Sequence, residues 1–410
     1  MDTIAVIDVG SKNTIIIIAE QEADGGINII GLGEALSEGV QHGSIVNIEK
    51  ASASILRALK QAEEIADKKI AYVTVSMGGE TLKWVKSHGF VAIPKERGQI
   101  NHDDVYELLE SARAVVIPAD QTIVETFVET FTVNDQIGIE DPVGMVGIRL
   151  EADVNIATLG TTTINNIFHI LEAQRLKIDY VTLGVEGAAN SVLLEEEAEL
   201  GVAILDIGHG TTDIGIMSKR RMIFADSIRF AGKSISHDIS VGLRIPEKHA
   251  EKIKVENGHC LQEKISENEM IEIAGIGGRK PRQVTRQLLV NIIRPRIEEI
   301  LSMSKNRMQK AGLFDKLTAG IVLTGGTSQL PGLIQIAEKI FDVPVRIGIP
   351  AEGTEMKDFI KTPIHSAAVG AVLVTIEKNA LPKSKKRRKR SFFSKVIQTF
   401  RNFWVKKAYK

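Results

Sequence analysis

Two stretches of this chain, far apart, repeat each other. IAVIDVGSKNTIII (residues 4–17) superposes without a gap on VAILDIGHGTTDIG (202–215). Asp8 falls on Asp206, Gly10 on Gly208 and Thr14 on Thr212, each 198 residues on. Each stretch is an apolar run of strand length, broken by a glycine-bearing turn, that resumes as a second apolar or alternating run. Each is predicted to be a β-hairpin, and the repeat predicts a duplicated domain with two similar halves.

Such turns suit a particular ligand chemistry. Gly10, Gly208 and Gly210 let the backbone approach a ligand closely, and successive N–H groups in a tight turn form a concavity for phosphate oxygens. The hydroxyls of Ser11, Thr211 and Thr212 add donors. Asp8 and Asp206, at their strand ends, are expected to face each other across a cleft between the halves. A Mg²⁺ ion keeping several waters is the natural mediator between two carboxylates and a polyphosphate. One such turn alone would read as an ordinary hairpin; two matched copies favour phosphate binding.

A third glycine turn lies in IVLTGGTSQLPGL (321–333), where a strand runs into Thr324-Gly325-Gly326-Thr327. A helix is expected to follow, with Pro331 in its first turn, and a nucleotide can meet a helix at its N-terminus. In AEKIK (250–254), Glu251 and Lys254 stand three apart on one helix face, which on spacing alone is a solvated ion pair.

At 410 residues the chain predicts two or more compact units. Its single cysteine, Cys260, rules out a disulfide framework and suits a reducing compartment. No signal peptide is expected, because MDTIAVIDVG runs straight into a strand pattern. No run of eighteen apolar residues occurs, so no spanning helix is expected. The net charge of −1 hides an asymmetry: residues 383–410 hold 12 Lys and Arg with no acid, leaving the body at −13. An acidic body repels polyanions, so attraction to anionic lipid or nucleic acid belongs to the tail.

That tail reads KKRRKRSFFSKVIQTFRNFWVKKAYK (385–410). From Ser391 as N-cap, helix period places Phe392, Phe393, Val396, Ile397, Phe400, Phe403 and Trp404 on one stripe. Lys395 and Arg401 in the middle exclude spanning, so a helix over 391–408 would lie in the plane of a membrane interface. Burying each large apolar side chain contributes about 1.5–3 kcal/mol before ordering costs, and each cation near an anionic leaflet about 1 kcal/mol. Nucleic-acid binding would need no such apolar stripe, and no nucleic-acid partner is expected.

Two phosphate turns, a Glu-bearing helix between them and a later T-G-G-T turn resemble the actin-like ATPase superfamily. SEGVQHGSIVNIE (37–49), DPVGMVGIRLEADV (141–154), VEGAANSVL (185–193), IGGRKPR (276–282) and VRIGIP (345–350) are similar to segments of one branch, the FtsA family of bacterial cell-division proteins. The resemblance runs colinearly through the chain, tail included. It implies an α/β, actin-like (duplicated ribonuclease H-like), two-lobed fold with an inserted small α+β subdomain. Subdomain IA would occupy 1–79, 163–198 and 357–380, the inserted IC 80–162, IIA 199–241 and 306–356, and IIB 242–305. A polybasic linker (381–390) and the amphipathic helix (391–408) would complete the chain.

The resemblance also implies function. Members bind ATP between the lobes, polymerise head to tail, and tether the tubulin-like protein FtsZ to the cytoplasmic face of the membrane at the septum, recruiting later division proteins through IC. Carried over by position, Asp8, Gly10, Ser11 and Asn13 match the first phosphate loop, and Asp206, Gly208, Gly210, Thr211 and Asp213 the second. Glu186 matches the acid that would orient the attacking water, with Asp206 a second catalytic candidate. Glu251 and Lys254 match the pair that meets ribose and adenine, and Gly325, Gly326 and Thr327 the adenosine turn. Arg286, Arg294 and Arg296, on a helix predicted over 286–301, match the region that meets the acidic FtsZ tail.

Two residues depart from the family pattern. His209 stands where Gly is common, and its imidazole can contact phosphate, narrow the loop, or point to solvent as loop side chains usually do. Lys12 stands where Ser is usual, so Ser11 must supply the hydroxyl. Both bear on hydrolysis, and a weak ATPase using nucleotide as a polymerisation switch is the expectation. The rival functions are a small-molecule kinase of the same superfamily, which needs an acceptor pocket that no segment resembles, and a nucleic-acid-binding ATPase.

Overall fold

The computed structural model describes residues 3–22, 26–273, 280–350 and 361–380. The expected polybasic linker and amphipathic helix, with Phe392, Phe393, Val396, Ile397, Phe400, Phe403 and Trp404, lie outside the described residues. Two compact units are present: one holds residues 1–85, 117–127 and 156–376, and the other is built on Lys86–Val116 and Val128–Asn155.

The first unit contains two five-stranded sheets. In one, the order is Lys177–Leu183, Tyr72–Met77, Thr3–Val9, Asn13–Gln21, Ile27–Leu36. In the other it is Arg221–Ile228, Thr212–Ser218, Val202–Ile207, Ile321–Thr324, Val345–Ile347. Numbered by chain order within each half, both sheets follow the same path. The first three strands form an antiparallel meander, and the fourth and fifth add in parallel beside the first.

Duplication therefore extends from the sequence to the whole sheet. Register repeats as well: Asp8 faces Ile15 and Val9 faces Thr14, while Asp206 faces Asp213 and Ile207 faces Thr212. Even the turn hydrogen bonds match, from Gly10 N–H to the Asn13 carbonyl and from Gly208 N–H to the Thr211 carbonyl, both at 3.0 Å.

Continuous apolar runs rather than alternating ones make the central strands, and both their faces are covered. Ile15, Ile17, Val6 and Ile4 pack against Ala368, Val369, Ala371 and Val372 of helix Ser366–Ala380. In the second sheet, Leu205, Ile207, Ile214 and Ile216 join Ile235, Ile239, Leu289, Ile293 and Ile297 in one cluster. Those partners come from helices Gly232–Leu243 and Arg286–Lys310. The latter runs nine residues past its expected end at 301 and crosses the expected 305/306 boundary. Its start is set by Thr285, whose hydroxyl accepts from the Leu288 N–H.

In the second unit, Asn101 caps helix His102–Ala112. Asn101 accepts from the Asp103 and Asp104 amides, and Asp104 answers by accepting from the Asn101 N–H. The helix expected straight after the third glycine turn starts later, at Leu333, and Pro331 lies outside it. Gly332, at φ +85°, takes the left-handed conformation and separates the proline from the helix.

Candidate functional site

Strand register brings the three glycine turns together. One cavity of about 520 Å³ is lined by Asp8, Gly10, Ser11 and Asn13 from the first turn, and by Asp206, Gly208, Gly210, Thr211 and Asp213 from the second. Gly325, Gly326 and Thr327 from the third turn, with Glu251 and Lys254 from helix Glu247–Asn257, complete the set expected for a nucleotide. Leu330, Pro331, Val255 and Ile364 add an apolar side.

Close approach explains why glycine stands at two of these positions. A Cβ on Gly325, whose φ is +81°, would lie 2.2 Å from Asp206 Oδ1. One on Gly210 would lie 2.4 Å from Ser11 Oγ, so the two phosphate turns touch through that missing side chain. Thr327 joins the second and third turns, its hydroxyl donating to the Gly208 carbonyl at 2.7 Å.

Three partly buried carboxyls crowd the inner end. Burial pushes Asp206 up to about 8, and the charges of Asp213 and Asp8 add to the rise. Burial also lifts Asp8 to about 6, although the Ser76 hydroxyl donates to Oδ1 at 2.7 Å and opposes it. Asp213 is raised to about 6 by burial, held back by the Ser227 hydroxyl. Mutual repulsion of this kind is relieved by a cation or by protons. Among the described residues, no three His, Cys, Asp or Glu side chains converge closely enough to ligate a metal directly. A divalent ion here would be held through water, as Mg²⁺ commonly is.

At the other end Glu251 gathers cations. Lys12 donates to Oε1 at 2.6 Å, and Lys254 donates to Oε2 at 2.7 Å, with the Ser236 hydroxyl also on Oε2. Burial opposes the charge, but Lys254 and Lys12 outweigh it and hold the carboxyl down at about 2. The Glu251–Lys254 pair is thus no solvated surface pair: Lys254 is 5% exposed and also donates to the Gly232 carbonyl at 2.8 Å. His209, expected to point to solvent, does not. Its side chain is 21% exposed, and Nδ1 stands 3.9 Å from Glu251 Oε2. Burial pushes the imidazole down to about 4 against the pull of Glu251, which keeps it neutral near pH 7.

Glu186 stands apart from this set. It begins helix Gly184–Val192 but does not line the cavity, and its Oε2 accepts from the Thr182 hydroxyl at 2.7 Å and from the Leu183 N–H. The three arginines are engaged within the fold. Arg286 donates to the Asn257 carbonyl and pairs with Glu269, Arg294 pairs with Glu298, and Arg296 grips Asp238 through two nitrogens.

Sequence reasoning missed Ser76 and Ser236, which hold carboxylates of the site, and Gly43 and Gly78, which line it. No local motif marks the two serines. A signal existed for Gly43, which lies in the family-like segment 37–49 to which no chemistry was assigned.

Two sheets of one strand order, each presenting a glycine turn to a shared cavity, together with an inserted α+β unit, define an actin-like protein. A chain of the PilM–PilN type IV pilus biogenesis complex superposes with a TM-score of 0.64 over 91% of this chain and 98% of its own, at 13% identity. MreB5 of Spiroplasma citri, solved bound to ADP, superposes with 0.56 over 92% and 98%, at 15% identity. The family is more specific. The profile for cell division protein FtsA matches residues 203–370, and that for the SHS2 domain inserted in FtsA matches 79–158. Cell division protein FtsA of Pseudomonas aeruginosa is 36% identical over 374 residues, covering 91% of this chain and 89% of its own. This chain belongs to the FtsA family of cell-division proteins.

Proposed function

We propose that this chain binds ATP in the cavity, assembles with its own copies into an actin-like filament, and tethers FtsZ to the inner face of the cytoplasmic membrane at the septum. The convergence of three glycine turns on one cavity carries this reading. The residues fit the group: glycine turns and the Ser11 and Thr211 hydroxyls suit phosphates, while Glu251 and Lys254 with Gly325, Gly326 and Thr327 suit the nucleoside. Asp8 and Asp206 would hold Mg²⁺ through water. Bound Mg-ATP would supply a cleavable γ-phosphate, and its presence or loss would bias assembly.

Weak hydrolysis goes with this arrangement. Glu186, the water-orienting candidate, does not line the cavity and holds Thr182 and Leu183 through Oε2, so it must move to act on a water there. The nucleotide then serves as a switch for assembly. Subdomains IA, IC, IIA and IIB, with the boundaries given above, are part of this reading, as are recruitment of later division proteins through IC and docking of the acidic FtsZ tail near Arg286, Arg294 and Arg296. Ion pairs such as Arg294–Glu298, on the exposed face, can exchange for an incoming carboxylate at small cost. No helix among the described residues is long and apolar enough to cross a membrane. The membrane foot is assigned to 391–408, with 381–390 as its tether.

The test combines the full chain with ATP, Mg²⁺ and anionic liposomes, with and without residues 383–410. Filaments on lipid that need the tail are the expected result. Absence of filaments in every nucleotide condition would overturn the polymer reading. Liposome binding that survives Phe400→Glu, Phe403→Glu and Trp404→Glu together would overturn the membrane reading.

A further inference from the structure

The segment 37–49 has so far been given no role, yet its tip touches both phosphate turns. Strands Val40–Gln41 and Ser44–Ile45 pair antiparallel and leave His42 and Gly43 as a two-residue turn, with φ of +48° and +79°. Positive φ at both central residues is the tight hairpin geometry that matches strand twist. The tip is seated on the segment that follows strand Tyr72–Met77: the Glu80 N–H donates to the His42 carbonyl at 3.3 Å, and a Cβ on Gly43 would lie 2.3 Å from the Gly78 carbonyl oxygen.

Two contacts then leave the tip. His42 Nδ1 meets the Gly210 carbonyl oxygen at 2.7 Å, in the second phosphate turn. The Gly43 N–H donates to Ser11 Oγ at 3.2 Å, in the first. A carbonyl only accepts, so Nδ1 carries the proton. The Gly210 carbonyl and the Thr211 N–H share one planar trans peptide and point opposite ways. Holding the carbonyl toward His42 therefore aims the Thr211 N–H away from His42, and Thr211 itself lines the cavity. At Ser11, acceptance from Gly43 occupies a lone pair and leaves the single hydroxyl proton for another acceptor.

We propose that the His42–Gly43 turn is a third element of the phosphate site, with His42 a positioning residue that sets the Gly210–Thr211 peptide for the terminal phosphates of a nucleoside triphosphate. Gly43 orients the Ser11 hydroxyl in the same way. This rests on the nucleotide-binding reading above. Adenosine, which lacks phosphates, makes no use of the tip.

The experiment measures ATP and adenosine affinity by calorimetry, with Mg²⁺, for the wild-type chain, His42→Ala and His42→Asn. His42→Ala is expected to lose roughly tenfold in ATP affinity, the scale of one hydrogen bond, with adenosine affinity unchanged. His42→Asn is expected to recover most of it, because Asn Nδ2 hangs on Cγ as Nδ1 does and Asn tolerates positive φ. Wild-type ATP affinity in His42→Ala overturns the proposal alone, as does an equal loss for adenosine or a failure of His42→Asn to recover. A wild-type chain that binds neither compound overturns the proposal together with the nucleotide reading.

Discussion

Asp8 and Asp206 occupy the same register position in two hairpins of one design, yet their carboxyls sit at about 6 and about 8. Backbone does not explain the difference, since both turns close with the same hydrogen bond. The cross-strand neighbour does: Asp8 faces Ile15, whereas Asp206 faces Asp213. Asp8 also has the Ser76 hydroxyl, and no side-chain donor meets Asp206 among the described residues. Duplicated backbone thus supplies two matching cradles, and side-chain divergence has concentrated the carboxyls in the second. The one structural repeat has become two unequal partners, one quiet and one that needs a cation.

The largest expected effect follows from that inequality. Asp206→Asn removes a carboxyl with no side-chain donor of its own and leaves shape intact. Ligand-free at neutral pH, the variant is expected to melt several degrees higher than the wild type, because folding no longer has to protonate a carboxyl that burial has pushed up to about 8. With Mg²⁺, it is expected to lose on the order of 100-fold in ATP affinity, about 3 kcal/mol. Asp8→Asn should move both quantities in the same direction by less, since Ser76 already compensates that carboxylate. Calorimetry and thermal melts of the two variants side by side decide the matter. Equal effects would dissolve the asymmetry.

His209 gives a smaller, pH-dependent effect. It falls where the first turn has Ser11, so only the second turn can titrate at this position. Its folded value, about 4, lies below the ordinary imidazole range near 6.5. A base depressed in the folded state binds fewer protons there than when unfolded, so stability is intact above about 6.5 and falls as pH drops toward 4. Relative to His209→Asn, the wild type is expected to lose about 1 kcal/mol by pH 5.5 and nothing at pH 8. Denaturant melts at the two pH values measure it, and parallel curves would mean the imidazole is better solvated than its 21% exposure indicates.

How much of this could be read in the chain beforehand depends on distance along it. Strand periodicity, turn glycines and the gapless repeat are local, and they led to both hairpins, the third turn and the two-lobed fold. The register that pairs Asp206 with Asp213 follows from the turn length and was readable too. Lys12 and Glu251 are 239 residues apart, and His42 and Gly210 168 apart. Such pairs form only once both sheets and the helix Glu247–Asn257 are in place, and no spacing rule encodes them. His209 was misplaced for the same reason: a loop side chain defaults to solvent, and only the folded neighbour Glu251 turns it inward. Gly332 misled more locally, because a left-handed residue after Pro331 delays a helix that the proline would otherwise open.

Lys12 marks the last contrast, since its counterpart in the second turn is Gly210, with no side chain at all. The ammonium reaches from the first turn to Glu251 on the opposite half and so bridges the two lobes of the cavity at 2.6 Å. With Lys12 41% and Glu251 21% exposed, solvent screens the pair, and a coupling of about 0.5–1 kcal/mol is appropriate. A double-mutant cycle of Lys12→Met and Glu251→Gln, read by denaturant melts of the ligand-free chain, isolates that term. Repeating the cycle with saturating ATP and Mg²⁺ sharpens it. If ribose takes Glu251 and phosphate draws Lys12, the coupling should fall toward zero, because each partner then has a ligand atom instead of the other. A coupling that stays the same with nucleotide bound would mean the bridge is a permanent strut between the lobes, and the first turn would owe its lysine to stability alone.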